Sequence, residues 1–156
     1  MREYLLRLYQ YSVWANTRVL EKLKSPTGDN ERARKLFAHI LAAEKVWITR
    51  MHGRDWSSIP IWPALTLDEC AEWLERNKAS YEQFFNELTE AALNNIVSYK
   101  NSQGDAFNTP IHEILSHVVF HGTGHRGQLA AALRDAGVEP VGTDFIMFVR
   151  ENPNVG

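Results

Sequence analysis

Residues 117–128 read HVVFHGTGHRGQ, with histidines four apart at His117, His121 and His125 and glycines at Gly122, Gly124 and Gly127. A four-residue spacing stacks side chains one turn apart on a single helical face. Around this stretch Ile111, Ile114, Leu115, Val118, Leu129 and Ala132 recur at threes and fours. The pattern predicts a helix from Pro110 to about Asp135, capped by Thr109, with Pro110 in its first position and Gly137 just past its end. With Val118 as the centre of the buried stripe, His125 falls about 20° away and His121 about 60° away, so both point inward. His117 and Gln128 lie nearer the edge, His112 sits on the opposite flank at the surface, and Arg126 points away from His125, free for an ion pair.

Each glycine costs about 1 kcal/mol relative to alanine inside a helix, roughly 3 kcal/mol for the three. Such a cost is consistent with closely approaching backbones, with room for a ligand, or with a bulged turn near Gly122 or Gly124.

Working outward, residues 3–24 carry Leu5, Leu8, Tyr9, Val13, Val19, Leu20 and Leu23 at helical spacing and stop at Pro26 and Gly28. A second helix follows Asp29 or Asn30, either a competent cap, and ends near Gly53. Residues 54–65 hold two prolines and two tryptophans, the composition of an ordered loop. Thr66 with Glu69 three later reads as a capping box for a third helix reaching about Leu88. Alternation at Ile96–Lys100 and a polar turn with Gly104 predict a short β-hairpin. The tail segment DFIMFVRE is apolar, of undecided type, and should cover a bundle end. These elements predict an all-α fold, a four-helix bundle with a short β-hairpin between helices 3 and 4, forming one domain over residues 1–156.

Two inward imidazoles one turn apart can converge on one cation, but a stable site needs three or four ligands. His39 is the only other histidine in the middle of an apolar helical stripe, beside Leu36, Ile40 and Ala43. A metal site of His39, His121 and His125 follows. Neutral imidazole suits zinc, nickel, iron and copper alike. Asn16 is a candidate for orienting a ligand or water, and a plain surface asparagine is the equal alternative. Glu44, five residues after His39, reads as a solvated carboxylate or one that supports the ligands from behind, and His117 as a structural or supporting residue. No residue qualifies as a general base, so no catalytic residue is assigned.

Composition narrows the partners. A net charge of -2 and a pI near 6.3 argue against a nucleic-acid binder. No uninterrupted apolar run marks a membrane span or signal peptide. A single cysteine, Cys70, cannot form an internal disulfide, which points to a reducing cytoplasm, and its acidic helical neighbours mark it as structural.

The segments YSVWANTRVL, AHILAAEKVW and HVVFHGTGHRGQLAAALRDAGVEPVGTDF together resemble the DinB family, also described as DinB/YfiT-like proteins, over nearly the whole chain. The resemblance implies a four-helix bundle that binds a divalent metal through three histidines, here His39, His121 and His125. It also implies a homodimer. Some relatives are transferases or isomerases that use a low-molecular-weight thiol, in which the metal holds the thiolate as nucleophile. The expected function is therefore a metal-dependent enzyme acting on a small-molecule substrate by thiol transfer or hydrolysis. The alternative is a non-catalytic binding or stress-response protein with a structural metal, its site closed by Trp14, Trp47 or neighbouring aromatics.

Overall fold

A computed structural model describes residues 1–153, so the last three residues of the expected domain lie outside it. Four long helices make up the body: α1 Arg2–Lys24, α2 Glu31–Met51, α3 Leu67–Glu87 and α4 Ile111–Asp135. A 3-10 turn at Ala91–Asn94 leads into a hairpin of β1 Ile96–Lys100 and β2 Ala106–Pro110, and a short helix α5, Phe145–Glu151, closes the chain. The tail whose type the sequence left open is thus helical.

The helix starts follow local chemistry. Asn30, not Asp29, caps α2 by accepting from the Ala33 N–H at 2.9 Å, while Asp29 pairs with Arg34 at 2.7 Å. Thr66 and Glu69 form the full capping box of α3. The start of α4 differs from expectation. Thr109 and Pro110 belong to β2, paired with Val97 and Ile96, and no side chain caps the helix. The Thr109 hydroxyl is committed to Tyr99 across the hairpin at 3.2 Å, so it cannot turn back onto the helix. At the other end Gly137 takes φ 74°, and the Val138 N–H reaches the Leu133 carbonyl at 2.9 Å, the left-handed termination that glycine permits.

Packing decides the topology. α1 and α2 each pack against both α3 and α4, so α1 and α2 stand diagonally across the bundle. Two apolar layers fill it. One gathers Val19, Leu23, Phe37, Ile40, Leu74, Leu129 and Leu133; the other gathers Tyr9, Tyr81, Phe85, Ile114, Leu115 and Val118. Tyr9 and Tyr81 stack with centroids 4.2 Å apart in the second layer. Cys70 is fully buried in the first, where desolvation pushes its thiol up to about 11, in keeping with a structural role. α5 lays Phe148 against Tyr11 and Trp14 of α1, covering that side of the bundle. Among the described residues no helix is long and apolar enough to cross a membrane.

Candidate metal centre

Between the two apolar layers lies a polar one, built from one residue of each helix. Asn16, Glu44, Asn77 and Arg126 are all buried. Asn16 donates to Glu44 Oε1 at 2.8 Å, and Asn77 donates to Glu44 Oε2 at 3.1 Å and to the Leu41 carbonyl at 2.9 Å. Arg126 Nη1 donates to Asn16 Oδ1 at 3.0 Å, and the Tyr81 hydroxyl donates to the Glu44 carbonyl at 2.9 Å. Burial pushes the Glu44 carboxyl up to about 7, against the pull of the Asn77 bond, the Arg126 charge and the Asn16 bond.

This layer decides between alternatives that the sequence left open. Glu44 is buried and not solvated, Asn16 is buried and not at the surface, and the Arg126 guanidinium is buried on Asn16. Each polar residue occupies an apolar slot of its own helix: Asn77 stands three after Leu74 and four before Tyr81, and Glu44 three after Leu41 and four before Ile48. That substitution of polar for apolar at core spacing was the available signal. Its meaning depended on partners from other helices, which spacing along one helix does not show.

Arg126 also explains one glycine. A Cβ at Gly122 would stand 3.0 Å from Arg126 Nη1, so glycine leaves room for the guanidinium. Gly124 and Gly127 have open space around the Cβ position, and α4 runs unbroken through them, which removes both the close-approach and the bulged-turn readings there. Gly124→Ala should therefore raise stability by up to about 1 kcal/mol in urea denaturation, whereas Gly122→Ala should lower it by crowding Arg126.

Because Arg126 takes the inward position, His121 and His125 are rotated to the α2 side of the stripe and are only half-buried. There they meet His39, which is buried. Ring centroids lie 5.0 Å apart for His39 and His121, 4.5 Å for His39 and His125, and 4.4 Å for His121 and His125. One nitrogen from each ring falls within 4.8 Å of the others, a set that could hold a metal ion. The site thus sits at the α2–α4 edge of the bundle, not in its middle.

Hydrogen bonds prepare the rings for this. His39 Nδ1 donates to the Ile61 carbonyl at 2.8 Å, which leaves Nε2 as a lone-pair donor for a cation. His125 Nδ1 lies 2.9 Å from Gln128 Oε1, an acceptor, so its Nε2 is likewise free. His39 Nε2 and His121 Nε2 are 3.2 Å apart, a contact in which His121 donates. A cation would take the place of that shared proton. Burial and the neighbouring imidazoles His125, His39 and His117 hold His121 down to about 4, and burial holds His39 below its ordinary value. Neutral imidazoles are the state that metal ligation requires.

Trp62, from the loop after α2, stacks on His39 with centroids 3.8 Å apart and planes within 8°. It is 59% exposed, so the roof of the site is a single solvent-facing ring. The rings expected to close the site do not do so. Trp14 packs with α5, and Trp47 packs edge-on against His117 at 5.1 Å. His117 lies 5.6 Å from His121 by centroids, outside the three-ring group. His112 bonds the Leu93 carbonyl at 3.0 Å at the opposite flank. Gln128 and Trp62 were not assigned roles from sequence. A cavity of about 830 Å³ lies on the other side of α4, lined by Tyr4, Leu8, Phe120, Thr123 and Gly127, and does not touch the three rings.

Comparison with known proteins agrees with the bundle. The chain is 28% identical to Protein DinB of Bacillus subtilis (strain 168) over a 169-residue alignment that covers 96% of this chain and 95% of that protein. A crystal structure of a DinB-like protein from Bacillus cereus ATCC 10987 superposes with a TM-score of 0.66 at 20% identity, covering 88% of this chain and 94% of the other, a likeness of fold. The model of the DinB family matches residues 1–154, which includes all three histidines of the centre, and the chain belongs to that family.

Proposed function

We propose that the protein is a metal-dependent enzyme in which His39, His121 and His125 hold one divalent ion, zinc, nickel or iron, and leave a coordination position open. The observation that carries this reading is the asymmetry of the site. Three ligand nitrogens converge from below, while a single exposed indole stands above. A bound ion would lower the pKa of a small thiol or a water and hold it for attack on a small electrophile. The chain's own residues then orient and screen. Ile61 and Gln128 fix the ring tautomers, Trp62 limits access over His39, and the polar layer holds Arg126 against Asn16.

The two chemistries, thiol transfer and hydrolysis, separate in one assay. Protein reloaded with zinc, nickel or ferrous ion is tested on a panel of chromogenic electrophiles with and without low-molecular-weight thiols. Thiol-dependent turnover that disappears in His125→Ala is the expected result. Turnover without thiol favours the hydrolase, and no turnover with any metal favours the non-catalytic alternative, a binding or stress-response protein with a structural metal. A homodimer belongs to the same proposal, since exposed Tyr4, Phe120 and Ile146 are apolar surface that a second copy would cover.

A further inference from the structure

Arg50, in the last turn of α2, is a guanidinium held at 8% exposure, and among the described residues no carboxylate pairs with it. Three rings enclose it instead, Trp56 at 4.2 Å, Trp47 at 4.5 Å and Tyr99 at 4.7 Å from Cζ to the centroids. Such a cage offsets part of the cation's desolvation but uses none of its five in-plane donors. Among the described residues Arg50 makes one hydrogen bond, Nη2 to the Lys100 carbonyl at 3.1 Å, and its buried Nε has no partner. The guanidinium lines a groove of about 490 Å³ between the end of α2 and the hairpin. Arg54 and Lys100 add positive charge at the same groove. The acid there, Asp55, has its two oxygens engaged by the Ser57 N–H at 2.9 Å and hydroxyl at 2.7 Å.

We propose that this groove is a binding site for small carboxylates with a flat apolar body, the carboxylate on Arg50 and the body against Trp56, Tyr99 and Phe107. A planar carboxylate matches the donors that the guanidinium leaves unpaired beyond its Lys100 bond. The walls are aromatic and open, with Phe107 stacked on Tyr99 at 5.9 Å and 45% exposed. The groove is separate from the metal centre, and none of the three histidines lines it. Arg50 follows His39 by eleven residues, which is three turns, about 16 Å along the axis and about 20° around it. Its side chain leans back over Trp47, Trp47 touches His117, and His117 neighbours His121. Trp47 and His117 therefore stand between this groove and the three histidines. The carboxylate site does not need the ion and stands apart from the metal-dependent reading above.

The test uses the full chain stripped of metal and labelled with ¹⁵N, titrated with benzoate and with benzamide as its neutral twin. Five tryptophans report by their indole N–H signals, and they are spread over the molecule. Saturable benzoate shifts at Trp47 and Trp56, with Trp14 and Trp73 unmoved, are the expected result. Benzamide should bind at least about tenfold more weakly, and Arg50→Gln should lose a similar factor for benzoate. Arg50 also ties the hairpin to α2, so Arg54→Ala serves as the second variant, with a two- to threefold weakening expected from the lost charge and an unchanged melting curve. Equal binding of benzamide, shifts centred on Trp14, or no saturable shift would overturn the proposal. Zinc added to the same sample is read at the histidine ring signals, so a protein that binds benzoate but no zinc sinks the metal reading and leaves this site standing.

Discussion

His121→Ala protein, prepared without nickel resin or chelator, should carry less than about a tenth of the parent's metal. Loss of a residue that merely supports a ligand already costs 10- to 100-fold in affinity, and a ligand costs more. His121 stands 4.4 Å from His125 and 5.0 Å from His39 by centroids, and its removal leaves two donors on different helices. His125→Ala should behave alike. His117→Ala is the informative control, because it deletes a neighbouring imidazole of the same helix that lies outside the group. Elemental analysis of the four proteins, with circular dichroism to verify folding, checks the result. Metal that stays with His121→Ala, or leaves equally from His117→Ala, would show that the ion is held elsewhere.

Glu44→Leu should cost about 3 to 5 kcal/mol of stability, although it touches none of the three histidines. It leaves Arg126 buried at 3% exposure with no carboxylate in its layer and removes the acceptor of both Asn16 and Asn77. For a chain of this size that is a fall of roughly 10 °C in melting temperature. Glu44→Leu combined with Arg126→Met should recover part of the loss, since the stranded charge goes too, and a double-mutant cycle reads the coupling.

The same carboxyl gives a pH signature of definite sign. Its folded pKa, about 7, stands above the ordinary 4.5, so the folded state binds more protons between those values. The stability this contributes is complete below pH 4.5 and is lost as pH rises through about 7. Glu44→Gln removes the slope. Because the histidines titrate alike in both proteins, the difference between parent and variant across pH 4.5 to 7 isolates Glu44. A difference that does not change with pH would mean that the carboxyl titrates normally.

The four helices were legible because burial repeats locally, so Leu5 to Leu23, Leu36 to Ile48, Leu74 to Phe85 and Ile111 to Leu133 each carry their own stripe. Asn30, the Thr66–Glu69 box and Gly137 were legible for the same reason, since each acts on backbone within a few residues. Thr109 misled because its hydroxyl had a second suitor, Tyr99, ten residues away across the hairpin. The histidine trio was nameable from spacing on α4 and the lone apolar-stripe histidine on α2, but its depth was not. Spacing offered Arg126 only as one half of an ion pair turned away from His125, and the bundle placed it inward against Asn16.

What the sequence determined by itself, then, was every feature whose cause lies within about one helical turn: the helices, most of their ends, the hairpin and the two histidines that share a face. Only the tertiary structure decided which helices are diagonal, that Asn16, Glu44, Asn77 and Arg126 form one layer, and that the three imidazoles meet at an edge beneath Trp62. The reason is physical. A buried polar group is tolerable only with partners, and here those partners come from residues 28 to 110 positions away, a distance over which periodicity along one helix carries no information.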